Sequence, residues 1–459
     1  MPPDADQLRQ RKAHQLEDKL DAAATQERIC SLKSLSGNEI CIEGVIYDIS
    51  NFDHPGGETI KVFGGNDVTV KYKMIHPYHT AKHLEKMQRV GKVTDWSSEY
   101  KWDTPFEREI KKEVFKIVRR GKEFATPGYI FRAIFYIGLF FTLQYMWAFN
   151  GSTLPLAIVY GMAAAFIGLN VQHDANHGAV SKKSWINDVM GLGADFIGGS
   201  KWLWIEQHWT HHAYTNHAQK DPDAYGAEPM LIFNDYPLGH PARTFMHKFQ
   251  CLFYAPVMAG YWISSVFNPQ ILDLNQRGAA SIGMRFDNDF VIRRRKWAIA
   301  LRLLYIVTNI VTPFLHHDWK TAIFHITVMS ISESLTLALP FSLSHNFVNA
   351  DRDPTAHFRK TGEQVDWFKA QVETSCTYGG AISGYITGGL NFQVEHHLFP
   401  RMSSAWYPYI APKVREICEK HGVNYAYYPW VHQNFYSTMK YLNAAGNGSN
   451  WLENPYTGN

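Results

Sequence analysis

Seven histidines stand in three short clusters whose spacing is that of one helical face. They are His173 and His177, then His208, His211 and His212, and finally His396 and His397, with Gln393 just ahead of the last pair. Residues three or four apart on a helix lie above one another, so each cluster would present its rings together. Neutral imidazole is a good ligand for iron, copper and zinc. A lone histidine is usually structural, but three clusters beside long apolar segments favour a site for two metal ions.

Four apolar stretches must position these clusters. Residues 129–149, 154–171, 297–315 and 322–344 are each long enough to cross a bilayer. A basic run, Arg293 to Lys296, precedes the third stretch, which places that end in the cytosol. A shared metal site requires all three clusters on one side of the membrane, and two hairpins of spans satisfy this requirement. The pattern predicts an all-α membrane domain with four transmembrane helices and a cytosolic cap.

Two further apolar stretches fit poorly as crossings. Residues 187–205 are interrupted by Asp195 and by Gly198 and Gly199, which favours a buried or interfacial segment. A crossing by residues 249–267 would make the number of crossings between the second and third clusters odd. We therefore expect this stretch to lie in or on the membrane.

Composition limits the class of protein. The net charge is +3, which gives no reason to expect nucleic acid as a partner. Five scattered cysteines without a Cys-x-x-Cys pair argue against a disulfide framework and against a thiolate metal site, and favour a reducing, cytosol-facing environment. Residues 1–27 are polar and charged and lack the apolar core of a signal peptide, so we expect a flexible leader.

A second chemical module lies at residues 28–97. His54-Pro-Gly-Gly stands 22 residues before His76-Pro77 and is followed by Gly64-Gly-Asn-Asp67. Pro and Gly are common in any tight turn, but this sequence as a whole resembles the cytochrome b5 family. The resemblance implies a small α+β haem domain in which His54 and His76 ligate the haem iron, with His79 as an alternative to His76. A haem held by two imidazoles has no open position for oxygen and transfers electrons.

The rest of the chain divides by composition. Residues 98–124 are predicted to be a linker that contains an amphipathic helix, with Ile110, Val114 and Val118 on its apolar face. We expect that face to lie on the membrane surface. Residues 125–440 then form the membrane domain, and residues 441–459 form a tail rich in Gly and Asn.

The histidine clusters together with the haem module resemble the front-end fatty acyl desaturases, in which the third cluster begins with Gln, here Gln393. The ligands lack the Glu-x-x-His pairs of soluble di-iron bundles. Zinc has no redox chemistry, so a fused electron donor favours iron. The resemblance implies two iron ions ligated by all seven histidines and by His345 at the end of the last span. Gln393 would ligate iron or orient a ligand.

The same resemblance implies the reaction and its partners. The enzyme would use O2, with electrons delivered through haem b, to insert a cis double bond between the carboxyl end and an existing double bond of a polyunsaturated acyl chain. The closest likeness is to Δ5 enzymes of 20-carbon chains. The acyl chain would be carried on coenzyme A or a phospholipid, and cytochrome b5 reductase would supply the electrons. The endoplasmic reticulum membrane is the expected location, with the haem and the irons facing the cytosol.

Other assignments stay open at this point. A Δ6 or Δ8 acyl desaturase, a sphingoid-base desaturase or a hydroxylase could use the same clusters, and a non-catalytic haem electron carrier is a further alternative. Asp174, Glu206 and Glu395 are candidates for carboxylates that accept a ring N–H and so orient an imidazole. Glu333 lies in the middle of a span, where an ionisable side chain is either functional or a structural hydrogen-bond partner.

Overall fold

The computed structural model describes residues 28–78, 81–234, 236, 238–267 and 288–448. The predicted leader, the last eleven residues of the predicted tail (449–459) and His79 lie outside the described residues.

The amino-terminal unit is an α+β fold built on a four-stranded sheet. Its elements are β1 (Arg28–Cys30), β2 (Glu39–Ile42), β3 (Val45–Asp48), α1 (Thr69–Ile75), α2 (Ala81–Leu84) and β4 (Gln88–Val93). The strand order is β1-β4-β3-β2, in which β1 and β4 are parallel and the other pairs are antiparallel. A 3-10 helix, Glu58–Phe63, precedes α1. Ile40, Ile42, Val62 and Phe63 are buried between the sheet and these helices.

The second unit is helical and contains four membrane-length helices. They are α4 (Pro127–Asn150), α5 (Leu154–Asn176), α10 (Asp289–His316) and α11 (Trp319–His345). Between and after them lie α6 (Ser184–Gly191), α7 (Gly193–Phe196), α8 (Lys201–Ala213), α9 (Gln250–Val266), α12 (Ala356–Thr361), α13 (Trp367–Glu373), α14 (Gly380–Thr387), α15 (Gln393–Leu398), α16 (Tyr407–His421) and α17 (Val431–Asn447). Two short strand pairs, β5 (Tyr100–Lys101) with β6 (Val365–Asp366) and β7 (Cys376–Tyr378) with β8 (Ala426–Tyr428), join distant segments.

The four predicted spans are confirmed, and their ends have local causes. Thr126 and Thr153 cap α4 and α5 through their side chains and are followed closely by proline, while Asp318 accepts from two backbone amides at the start of α11. These groups satisfy backbone donors that a helix start leaves unpaired. Each hairpin therefore turns sharply, which returns α5 and α11 to the same end of the bundle.

Helices α5 and α11 approach very closely along their length. A Cβ added at Gly161 of α5 would overlap the Met329 carbonyl oxygen of α11. The Ser332 hydroxyl also donates to the Ile158 carbonyl oxygen at 2.8 Å. Small residues allow such approach between helices in membranes. This contact fixes the register between α5, which carries His173 in its last turn, and α11, which ends at His345.

The segment 187–205 is broken where the sequence predicted. Helix α6 ends at Gly191, α7 ends at Phe196, and α8 starts after Gly198, whose φ of 87° suits glycine. The Asp195 carboxylate accepts from the Lys201 backbone amide at 3.1 Å and so holds the start of α8. Helix α9 has 17 residues, is not among the four membrane-length helices, and packs along α11.

Helix α3 (Pro105–Ile117) has the expected apolar stripe, but that stripe contacts protein instead of lipid. Phe106, Ile110 and Val114 are buried in the same cluster as Trp367 of α13 and Ile410 of α16. Amphipathicity reports that one face is covered and does not say by what. The structure therefore differs from the interfacial placement that we predicted for this helix.

Replacing Gly161 by Ala should destabilise the protein, because the added methyl group has no space between α5 and α11. Overpacking of this kind costs about 1–3 kcal/mol. The measurement is the thermal unfolding midpoint in detergent. Gly138→Ala is the matched control, since a Cβ at Gly138 of α4 has no atom within 4 Å. Equal midpoints for the two variants would contradict the close approach.

Candidate metal centre

Four helices bring the predicted histidines together at one end of the bundle. His173 lies in the last turn of α5 and His177 directly follows it, while His345 is the last residue of α11. His208, His211 and His212 lie on α8, and His396 and His397 lie on α15. His208 is partly buried and the other seven rings are buried.

The rings form two groups. His173, His177, His208 and His396 each offer a ring nitrogen, and these atoms all lie within 4.8 Å of one another. His211, His345 and His397 form a second group within the same limit. Metal–imidazole bonds are about 2 Å long, so each group has the size of a site for one ion.

His212 lies between the two groups. Its ring stacks on His397 with centroids 4.1 Å apart and meets His396 edge-on at 4.4 Å. Its Nε2 is 3.1 Å from Nε2 of His208. His212 is thus in contact with members of both groups, which places the two groups side by side.

The chemistry of the nitrogen atoms fits metal binding. Both ring nitrogens of His173 and of His177 and Nε2 of His396 are buried without a hydrogen-bond partner among the described residues. Burial, followed by the neighbouring imidazoles, lowers the pKa of His208, His212, His396 and His397, so these rings are neutral. A neutral ring with a free lone pair is the form that binds iron.

Hydrogen bonds at Nδ1 fix the orientation of several rings. Nδ1 of His211 is 2.9 Å from the Asp221 carboxylate, and Nδ1 of His345 is 3.0 Å from the Thr374 carbonyl oxygen. Nδ1 of His397 lies 2.9 Å from Oε1 of Gln371, and Nδ1 of His396 lies 3.0 Å from the Tyr407 hydroxyl. Such contacts leave Nε2 facing the centre and set the tautomer of each ligand.

The Asp221 carboxylate was missed in the sequence analysis. It is buried in the turn after α8, ten residues beyond His211, and also accepts from the Asn216 backbone amide at 2.7 Å. Burial disfavours the charged His211 ring, but Asp221 and Asp223 outweigh this effect and raise the pKa of His211 to about 9. A metal ion would compete with the proton for Nε2 of this ring.

The three carboxylates suggested from the sequence have other contacts. Asp174 accepts from the hydroxyls of Ser403 and Ser404, and Glu395 accepts from Thr377 and Tyr425. Glu206 is buried near the Lys71 ammonium group of the amino-terminal unit. Glu395 therefore ties α15 to neighbouring segments, whereas Asp174 ties α5 to Ser403 and Ser404 and also places Oδ1 3.7 Å from Nδ1 of His173.

The remaining polar candidates are placed as follows. Nε2 of Gln393 lies 3.0 Å from Nε2 of His345 and 3.2 Å from Nε2 of His397, so its amide borders the second group. Glu333 is fully buried in α11 and accepts from the Tyr305 hydroxyl at 3.3 Å, which is a structural contact between spans.

A second candidate cofactor site lies in the amino-terminal unit. The rings of His54 and His76 face each other with centroids 6.0 Å apart, a spacing that fits one metal atom between two imidazoles. The crevice around them has a volume of about 300 Å³ and apolar walls that include Ile40, Phe52 and Val68. Burial lowers the pKa of His54 and lowers that of His76 to about 3, which keeps both rings neutral.

A large cavity opens onto both histidine groups. Its volume is about 720 Å³, within the usual range for ligand sites, and its wall includes ring atoms of His173, His208, His211 and His345. The other described walls are mainly apolar and aromatic: Leu169, Ile197, Leu203, Trp204, Met230, Phe233, Phe253, Met258, Trp262, Leu337, Phe341 and Leu390. An apolar chain could therefore reach the metal centre from inside the protein.

Comparison with known proteins agrees with both sites. Residues 119–429 match the family described as fatty acid desaturase, and residues 37–94 match the cytochrome b5-like heme/steroid binding domain. The chain is 31% identical over 413 residues to the acyl-lipid (7-3)-desaturase of Rebecca salina, which covers 87% of this chain and 89% of the relative. Two proteins of Dictyostelium discoideum also match, each over 92% of this chain. Acyl-lipid (8-3)-desaturase B is 28% identical and is covered over 93% of its length. The probable Delta(5) fatty acid desaturase C is 29% identical and is covered over 95% of its length.

Replacing Asp221 by Asn should lower the iron content, because the neutral amide binds the Nδ1 proton of His211 less strongly. Loss of such a partner typically reduces metal affinity 10–100-fold. The measurement is iron per chain by mass spectrometry after dialysis against a weak chelator. Asp103→Asn is the control, since Asp103 is an exposed partner of Arg108. Unchanged iron retention in Asp221→Asn would show that this carboxylate does not orient the ligand.

Proposed function

The chain belongs to the fatty acid desaturase family as a front-end acyl-lipid desaturase with its own cytochrome b5 domain, and we propose that it inserts the Δ5 double bond into 20-carbon polyunsaturated acyl chains. Its cofactors are haem b and two iron ions, with O2 as co-substrate. The Δ5 assignment is supported by relatives named Delta(5) and (8-3) desaturases, while others at similar identity are named (7-3) desaturases.

The observation that carries the proposal is that one apolar cavity opens onto both histidine groups. An acyl chain has no polar handle at the carbons that react, so it must be placed by shape and apolar contact. Iron bound at the two groups supplies the O2-dependent removal of two hydrogen atoms from adjacent methylenes, and two electrons and two protons complete the reduction of O2 to water.

We assign roles to the histidines from these two groups. His173, His177, His208 and His396 hold one iron, and His211, His345 and His397 hold the other. His212 contacts both groups and is assigned as a ligand between them. Gln393 borders the second group and completes or orients it. In the haem domain His54 and His76 are assigned as the axial ligands.

The cavity wall positions the acyl chain and excludes water from the metal centre. Trp204 stacks on His208 with centroids 4.2 Å apart, so the indole and the imidazole are packed together in the cavity wall. Trp262 donates to the Ile197 carbonyl oxygen at 2.6 Å, which holds its indole rigidly in the wall. Arg302 also lines the cavity, but its guanidinium donates to carbonyl oxygens of Gly199 and Ser265. Arg302, Asp223 and Glu228 give the mainly apolar wall a polar part.

The setting of the reaction is proposed from the same features. Four membrane-length helices place the enzyme in a membrane, and we propose the endoplasmic reticulum with the metal centre on the cytosolic side. The names of the relatives favour a phospholipid as acyl carrier, with coenzyme A as the alternative. Cytochrome b5 reductase is the proposed electron donor to the haem.

Cells that express the chain and receive one fatty acid at a time should show the regioselectivity. We expect a new double bond at carbon 5 of 20-carbon polyunsaturated substrates and little conversion of 18-carbon ones, because the depth of the cavity sets the distance from the head group to the irons. Mass spectrometry of derivatised products locates the bond. A new bond at carbon 6 or 8, or a hydroxylated product, would contradict the proposal.

Replacing His208 by Ala should abolish desaturation, since it removes a ligand that also borders the cavity. The haem absorption spectrum of the same variant should remain, because His54 and His76 are unchanged. His357→Ala is the matched control, since this exposed ring pairs with Glu363 on the surface and lies in neither histidine group. Product formation by His208→Ala at the control's level would exclude a catalytic role for the first group.

A further inference from the structure

The crevice that contains His54 and His76 is closed by the desaturase unit. Its wall includes Asn176, the last residue of α5, His177 directly after it, Trp209 of α8, and Arg401 in the turn after α15. The haem domain alone therefore supplies only part of the site. Because this inference concerns the haem ligands, it rests on the proposed roles of His54 and His76.

The two units are held together by packing as well as charge. Phe63 of the haem domain stacks on Trp209 with ring centroids 5.5 Å apart. The Lys71 ammonium lies 5.4 Å from the centre of the Tyr214 ring, and the Asn288 amide donates to the Val62 carbonyl oxygen at 3.0 Å. These contacts surround the crevice, so the wall from the desaturase unit has a fixed position.

Arg401 is the unusual member of that wall. Its guanidinium makes no hydrogen bond or salt bridge with the residues that the structure describes, although much of the side chain is covered. Arg401 lines the same crevice as His54 and His76, so its positive charge lies on the wall that surrounds both rings. Glu123 is the acidic residue that favours its charge.

A largely covered guanidinium without a hydrogen-bond partner among the described residues is stabilised by an anion that joins it. Arginine matches carboxylates particularly well, since two parallel N–H groups can donate to the two oxygens. Haem b carries two carboxylates. We propose that Arg401 binds a haem carboxylate, so that the desaturase unit completes the haem site.

This role would link the haem to the third histidine cluster. Arg401 lies four residues after His397, and Phe399 between them packs edge-on against Phe115 of α3. A haem carboxylate bound to Arg401 would therefore hold the turn that ends α15. Haem binding would then stabilise the same segment of the desaturase unit that carries His396 and His397.

The test uses the full-length protein in detergent and measures the rate at which haem passes to excess apomyoglobin, followed by the absorption change. Arg401→Ala should lose haem about tenfold faster or more, as expected for one charge-assisted hydrogen-bonded pair worth about 1.5–3 kcal/mol. Arg401→Lys should lie between the two, because it keeps the charge and loses the paired N–H groups. The haem midpoint potential should also fall in Arg401→Ala, since a nearby cation favours the ferrous state.

Arg415→Ala is the matched control, because Arg415 is an exposed partner of Glu419 on α16. Haem loss and potential in Arg401→Ala equal to those of Arg415→Ala would overturn the proposal. His54→Ala separates it from the proposed haem ligands: that variant should hold no haem whatever Arg401 does. If His54→Ala keeps its haem, the axial assignment fails independently of the result for Arg401.

Discussion

The unpaired nitrogen atoms of buried histidines are the constraint on which this structure depends. Each buried polar atom without a partner costs about 1–3 kcal/mol, and such nitrogens belong to His173, His177 and His396 of the first group and to His212 beside it. Neutral rings remove the charge repulsion but leave the lone pairs unsatisfied. A metal ion bound at the first group would satisfy lone pairs of its rings, so that metal binding and the fold would stabilise each other.

The helices are arranged to meet this constraint. The close approach at Gly161 fixes α5 against α11, and both helices end in a candidate ligand at the same end of the bundle. Helices α8 and α15 are short and would not hold their rings precisely by packing alone. Contacts at Nδ1 from Asp221, Thr374 and Gln371 supply the missing precision. The spans set the coarse position of the rings, and the cap sets their orientation.

Much of this architecture could be predicted from the sequence because it depends on strong local signals. Length and apolarity identified the four spans, and helical spacing identified the histidine clusters. Contacts between side chains of different segments could not be predicted in the same way. Asp221 stands in a polar turn where nothing in the sequence marks it as a partner of His211. The apolar face of α3 was read correctly, but its partner is α16 instead of lipid, because amphipathicity does not identify what covers a face.

The joined haem domain has a physical consequence for electron delivery. An exchangeable electron carrier must expose its haem edge and find its partner by diffusion, whereas a tethered one has a high effective concentration. Here the haem domain is packed against the desaturase unit as well as covalently joined to it. Trp209 stacks on Phe63 of the haem domain and lies parallel to the ring of His177. His177 itself borders the haem crevice and belongs to the first histidine group. One wall thus separates the haem crevice from the first histidine group.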